Sequence, residues 1–154
     1  MIGDLVQTYL FALKKAVQNP PYPQPNWGNM DFQNMIEHLK ITFDMLFKDI
    51  KCVTPAEKLP RQQAFLRSDR AMPQNFKTPL LPQDPLPHKF ENPAEAINQL
   101  EKSCDRYLTF WRENPEANVM NPIFGELDQE MWFRFHIKHL NHHFAQFSIV
   151  VENS

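Results

Sequence analysis

Apolar positions recur at helical spacing in four stretches of this chain. Residues 2–18 place Leu5, Tyr9, Ala12, Leu13 and Ala16 three and four apart, which predicts an amphipathic first helix. The run Asn19-Pro20-Pro21-Tyr22-Pro23-Gln24-Pro25 stops it, because proline donates no N–H and restricts the residue before it. A second helix is predicted from about Met30 to Lys51, with Asn29 or Asp31 as its cap and Met35, His38, Leu39, Thr42, Met45 and Leu46 on one face. The third opens with Asn92-Pro93, a cap followed by proline at the first helical position. It carries Ile97, Leu100, Cys104, Leu108 and Trp111 as far as Pro115. Asp128 caps the last helix, and Glu130 stands in the first turn, where the helix dipole favours a negative charge. Its stripe is Trp132, His139, His143, Phe147 and Val150, its end is expected near Val151, and the tail Glu152-Asn153-Ser154 is expected to fray.

Between the second and third helices the pattern changes. Eight of the fourteen prolines fall from Pro55 to Pro93, so residues 52–91 are expected to form a long crossover without a helix. Phe65, Leu66, Met72, Phe76, Leu80, Leu81 and Leu86 would hold it as a strap across the body, with His88 exposed. A shorter connector, Asn118 to Leu127, precedes the last helix. The expected fold is therefore all-α: a four-helix bundle in a single domain, residues 1–154, with a long Pro-rich crossover between helices two and three.

Composition narrows the function classes. The net charge of −2 includes no basic stripe, so nucleic-acid binding is not expected. No apolar run reaches bilayer length and the N-terminus lacks the parts of a signal peptide, so a cytoplasmic location away from membranes is expected. Cys52 and Cys104 form no framework. Cys104 falls on a buried line and reads as a small core residue.

The chemistry is concentrated in histidine. His136, His139, His142 and His143 are four of the six, and they occupy eight residues of the last helix. With about 100° of rotation per residue, His139 and His143 point the same way one turn apart, the spacing at which one helix offers two imidazoles to one metal ion. His136 lies on nearly the same line, and His142 is rotated away. A buried imidazole needs a partner for each nitrogen, so the alternative is a hydrogen-bonded core. His38, on the apolar face of the second helix, is the candidate third ligand. Three neutral imidazoles leave a divalent ion an open position. Zinc, nickel and iron all accept such ligands, so ligand type does not choose among them. Gln146, one turn from the histidines, is placed to orient a ligand or a bound water. Glu-x-x-His and His-Glu-x-x-His are both missing, which argues against di-iron and metalloprotease chemistry.

His139-x-x-His142-His143-x-x-Gln146, together with His38 in Met35-Ile36-Glu37-His38-Leu39, resembles the DinB/YfiT-like superfamily. Trp27-Gly28-Asn29-Met30 and Asn121-Pro122-Ile123-Phe124-Gly125-Glu126-Leu127 look like one branch of it. The resemblance implies a four-helix bundle with His38, His139 and His143 as metal ligands. It turns His142 elsewhere and makes His136 a pocket or supporting residue. It also implies a small-molecule substrate, in some members a low-molecular-weight thiol whose pKa the metal lowers. Phe144-Ala145 stands where the commoner motif has Arg-Gly, which changes the pocket that would receive such a thiol.

The expected function is a metal-dependent enzyme of hydrolase or thiol-dependent transferase type. The alternatives are a non-catalytic metal-binding bundle and a ligand sensor. A homodimer is expected from Phe133 and Phe144, which fall outside the main stripe.

Overall fold

The computed structural model describes residues 2–74, 76 and 84–152. Leu80, Leu81 and the end of the tail, Asn153-Ser154, lie outside the described residues. The chain is mainly helical: α1 (Ile2–Gln18), α2 (Phe32–Asp44), α3 (Leu59–Arg67), α4 (Pro93–Glu113) and α5 (Gln129–Gln146), with a small antiparallel pair, β1 (Val119–Asn121) and β2 (Gly125–Leu127). No helix among the described residues is long and apolar enough to cross a membrane.

Local chemistry sets the helix starts. Asp31 accepts from Asn34 N at 2.7 Å while the Asn34 side chain accepts from Asp31 N at 3.0 Å, a reciprocal capping box on α2. Asn92 caps α4 with Pro93 behind it, and Asp128 caps α5 through Met131 N.

The helix ends depart from expectation. α2 stops at Asp44 and tightens into a 3-10 turn at Met45–Phe47, well short of Lys51. Lys48 and Asp49 are exposed, so a longer helix would bury nothing there. α5 stops at Gln146 rather than near Val151. Ser148 takes a left-handed backbone conformation (φ 53°), and Ile149 N reaches back to Phe144 O at 2.8 Å, the closing bond of a Schellman turn. Val150 consequently leaves the predicted stripe and is 78 % exposed. On α1 the buried line runs through Val6, Tyr9, Leu10 and Leu13, and Leu5 faces out.

The crossover is not helix-free. A 3-10 turn at Ala56–Lys58 leads into α3, which packs along α5. Its prolines sit where a helix tolerates them: Pro55 before the first turn, and Pro60 in it, where the missing N–H has no intrahelical partner to lose. Further on, residues 84–90 do lie as a strap along the start of α2. Asn34 Nδ2 donates to Leu86 O (3.0 Å), Gln33 Nε2 donates to Phe90 O (2.7 Å), and the Glu37 carboxylate accepts from Lys89 N (2.7 Å) and Phe90 N (3.1 Å). His88 is exposed, as expected, and pairs with Asp31 at 2.8 Å.

The connector before α5 is a hairpin, with Asn121 opposite Gly125. Gly125 has φ +81°, and a Cβ there would lie 3.1 Å from Leu59 Cδ1, so only glycine fits between the hairpin and α3.

The core lies between α1, α2, α4 and α5, filled by Trp111, Trp132, Tyr107, Phe43 and Met35. Phe144 is buried edge-on against Tyr9 at 5.0 Å, and the half-buried Phe133 packs near Tyr107 at 6.1 Å.

Candidate metal centre

α2 and α5 bring three imidazoles to one point. His139 and His143 are adjacent turns of α5, and His38 faces them from α2. The ring centroids lie 4.8 Å (His38–His139), 4.9 Å (His38–His143) and 4.5 Å (His139–His143) apart. The Nε2 atoms meet closely. His139 Nε2 is 2.9 Å from His38 Nε2 and 3.0 Å from His143 Nε2, and all three potential donor atoms lie within 4.8 Å of one another. An ion about 2.0–2.1 Å from each nitrogen would set neighbouring donors roughly 3.0–3.5 Å apart, a separation that two of the three pairs nearly have.

One tautomer is set by a neighbour. Gln146 Nε2 donates to the Trp27 carbonyl at 2.9 Å, so Oε1 is the edge turned to His143 and accepts from its Nδ1–H at 2.8 Å. His143 Nε2 therefore carries a bare lone pair. His139 Nε2 bears one proton at most, yet it faces two nitrogens. One proton can serve both contacts only as a shared, three-centre bond, weaker than two separate ones. A single cation satisfies all three lone pairs together, and a proton does not. That is how the residues present fit a metal ion.

The electrostatics agree. Burial pushes His38 down to about 4, with His142 adding to the shift. Burial likewise pushes His143 down to about 3, reinforced by His38 and only partly opposed by the bond to Gln146. His139 is held well below its ordinary value, first by burial and then by His143 and His38. At neutral pH all three rings are uncharged, as ligands must be. His139 Nδ1 has no partner among the described residues; its ring instead stacks on Phe135 at 5.7 Å.

The trio opens onto a cavity of about 840 Å³. Its walls include Trp27, Met30, Ile41, Met72 and Phe135, with Asn121 among the lining groups. Gln146 is not against the open side alone: Asn26 N donates to its main-chain carbonyl at 2.7 Å, tying the loop before α2 to the end of α5. Gly28 has φ +77°, and a Cβ there would stand 3.0 Å from Gln146 Nε2.

The other predicted residues separate. His142 is half-buried, edge-on to Trp27 at 5.7 Å, and lines the cavity without joining the trio. His136 lies one turn away inside the core, stacked on Phe43 at 4.0 Å, with neither nitrogen hydrogen-bonded among the described residues; burial pushes it down to about 3. Cys104 is buried and burial pushes its thiol up, consistent with a core role, while Cys52 lies elsewhere, against Thr54 O. Two further residues support the trio. Trp27 acts through its carbonyl, and Phe135 through stacking.

A family model described as "Protein of unknown function (DUF1569)" matches residues 16–149, nearly the whole chain. The chain belongs to that family. The matched span of this DUF1569 chain contains His38, His139, His143 and Gln146. No curated protein and no solved structure matches it.

Proposed function

We propose that this DUF1569 chain is a metal-dependent enzyme, a hydrolase or a thiol-dependent transferase, built on a four-helix bundle of the DinB/YfiT-like kind. In that reading α1, α2, α4 and α5 are the bundle, α3 is an insertion in the crossover, and His38, His139 and His143 hold a divalent ion. The observation that carries it is the meeting of three Nε2 atoms, two pairs of them at 2.9 and 3.0 Å, with at most one proton on His139 Nε2 to serve both contacts. A divalent ion there would supply Lewis acidity at an open position for water or a substrate thiol. The chain's own residues do the rest. Gln146 holds the proton of His143 on Nδ1, and Trp27, Met72 and Phe135 give the cavity apolar wall. The cavity above the trio favours a small-molecule substrate over a sealed structural site.

Elemental analysis of protein purified without a polyhistidine tag tests the metal. About one divalent ion per chain is expected, and its loss in His143→Ala. Unchanged metal content in His38→Ala, His139→Ala and His143→Ala alike overturns the reading. The same cavity supports a second reading, a ligand-sensing bundle, which ligand-dependent melting without turnover would distinguish.

A further inference from the structure

A second cleft, of about 660 Å³, backs onto the cavity at the trio, and Trp27, Met72, Gln74 and His142 line both. One wall is the outer face of α5, where Arg134, Ile137, Lys138, Asn141, His142 and Ala145 recur at spacings that keep them on one side of a helix. The other is the chain leaving α3, from Ser68 to Gln74. The charged lining is unbalanced: Arg70, Arg134 and Lys138 stand against a single carboxylate, Asp69. Arg70 and Arg134 are exposed, so a ligand reaches them from solvent.

Lys138 gathers these charges. Its Nζ donates to Ser68 O at 2.7 Å and also to Arg70 O, which draws the segment after α3 onto α5. The same ammonium stands 4.7 Å from the centre of the Phe65 ring, and the Arg70 guanidinium stands 5.5 Å from that ring. Two cations thus share one aromatic side chain. Arg134, one turn before Lys138, pairs at 3.2 Å with the exposed Glu130, a contact worth little in water. Arg70 has no ion pair among the described residues. Burial first, then Arg134 and Arg70 against the opposing Asp69, hold Lys138 below its ordinary value. Like charges held this close oppose one another, and an anion among them removes that cost.

We propose that this cleft binds a small organic oxyanion, an apolar body carrying a carboxylate or phosphate, whose charge Arg70 and Arg134 receive beside Lys138. A guanidinium fork matches the paired oxygens of either group. Trp27, Met72 and Ile137 supply apolar wall for the body. The site uses neither the trio nor an ion, so it stands apart from the reading of the metal centre.

Metal-free, ¹⁵N-labelled protein is titrated at low ionic strength with phenyl phosphate, with benzoate and with uncharged benzyl alcohol. Leaving out the ion keeps the oxyanions from being drawn to the trio. At least one anion is expected to bind about tenfold or more tightly than benzyl alcohol, to move the side-chain Nε–H signals of Arg70 and Arg134, and to weaken as salt is added. Tighter binding of phenyl phosphate identifies a phosphate ester as the ligand class, and tighter binding of benzoate a carboxylate. Arg70→Gln and Arg134→Gln are each expected to lose most of the preference for the anion. Arg70→Gln keeps the main-chain carbonyl to which Lys138 donates, so the segment stays in place. Equal binding of all three probes, no binding of any, unmoved arginine signals, or a preference that survives both substitutions overturns the proposal.

Discussion

Replacing Gln146 with leucine removes the acceptor that keeps the His143 proton on Nδ1, and the ring is then free to carry its proton on Nε2 instead. Metal affinity is expected to fall about 10–100-fold, the usual effect of losing a group that orients a ligand, with the helical circular dichroism unchanged; competition against a chelator measures it. Gly28→Ala acts on the same contact from the loop side. It forces a left-handed backbone on alanine and brings a Cβ to 3.0 Å from Gln146 Nε2. A loss of about 1–3 kcal/mol is expected in denaturant unfolding, together with weaker metal binding. The trio itself was legible because the spacing of His139 and His143 is a property of any helix and His38 falls on a predicted face. The Trp27 carbonyl was not, because main-chain groups leave no mark on the residue pattern. Asn121 stood in a noticed motif, but its closing of the hairpin through Oδ1 appears only in the fold.

Among the elements, α2 carries more than a ligand. Gln33, Asn34 and Glu37 hold the strap 84–90 across the cavity's edge. Glu37→Gln exchanges one of two main-chain acceptors for a donor. It is expected to cost about 1–2 kcal/mol and to speed hydrogen exchange at Lys89 and Phe90 while the α2 amides stay protected. Intact protection of those two amides would show that the strap is held by its packing alone. α3 was missed for a physical reason: Pro55 and Pro60 read as breakers, though both stand where a helix start accepts proline, and only Leu66 of the helix is fully buried. The end of α5 was misplaced because Ser148, not glycine, adopts the left-handed turn residue.

For the molecule as a whole, the buried histidines set an acid limit. Unfolded, an imidazole takes its proton near 6.5; folded, His136 and His143 are held to about 3 and His38 to about 4. Between those values the unfolded chain binds more protons, so stability of the metal-free protein rises with pH through this window and is lost as pH falls from about 6.5. His136, apart from the trio and stacked on Phe43, is the clean probe. His136→Phe is expected to flatten the stability–pH slope by about 1.4 kcal/mol per pH unit between pH 6 and 4, measured by urea unfolding at several pH values. An unchanged slope would mean that His136 already takes up its proton in the fold. Helical periodicity, capping residues and the pairing of His139 with His143 were determined by the sequence alone, because each depends on neighbours within a turn or two along the chain. The meeting of His38 with that pair, the tautomer of His143 and the cavity beside them were decided only by the tertiary structure. They depend on distances between segments about a hundred residues apart, which no local pattern encodes.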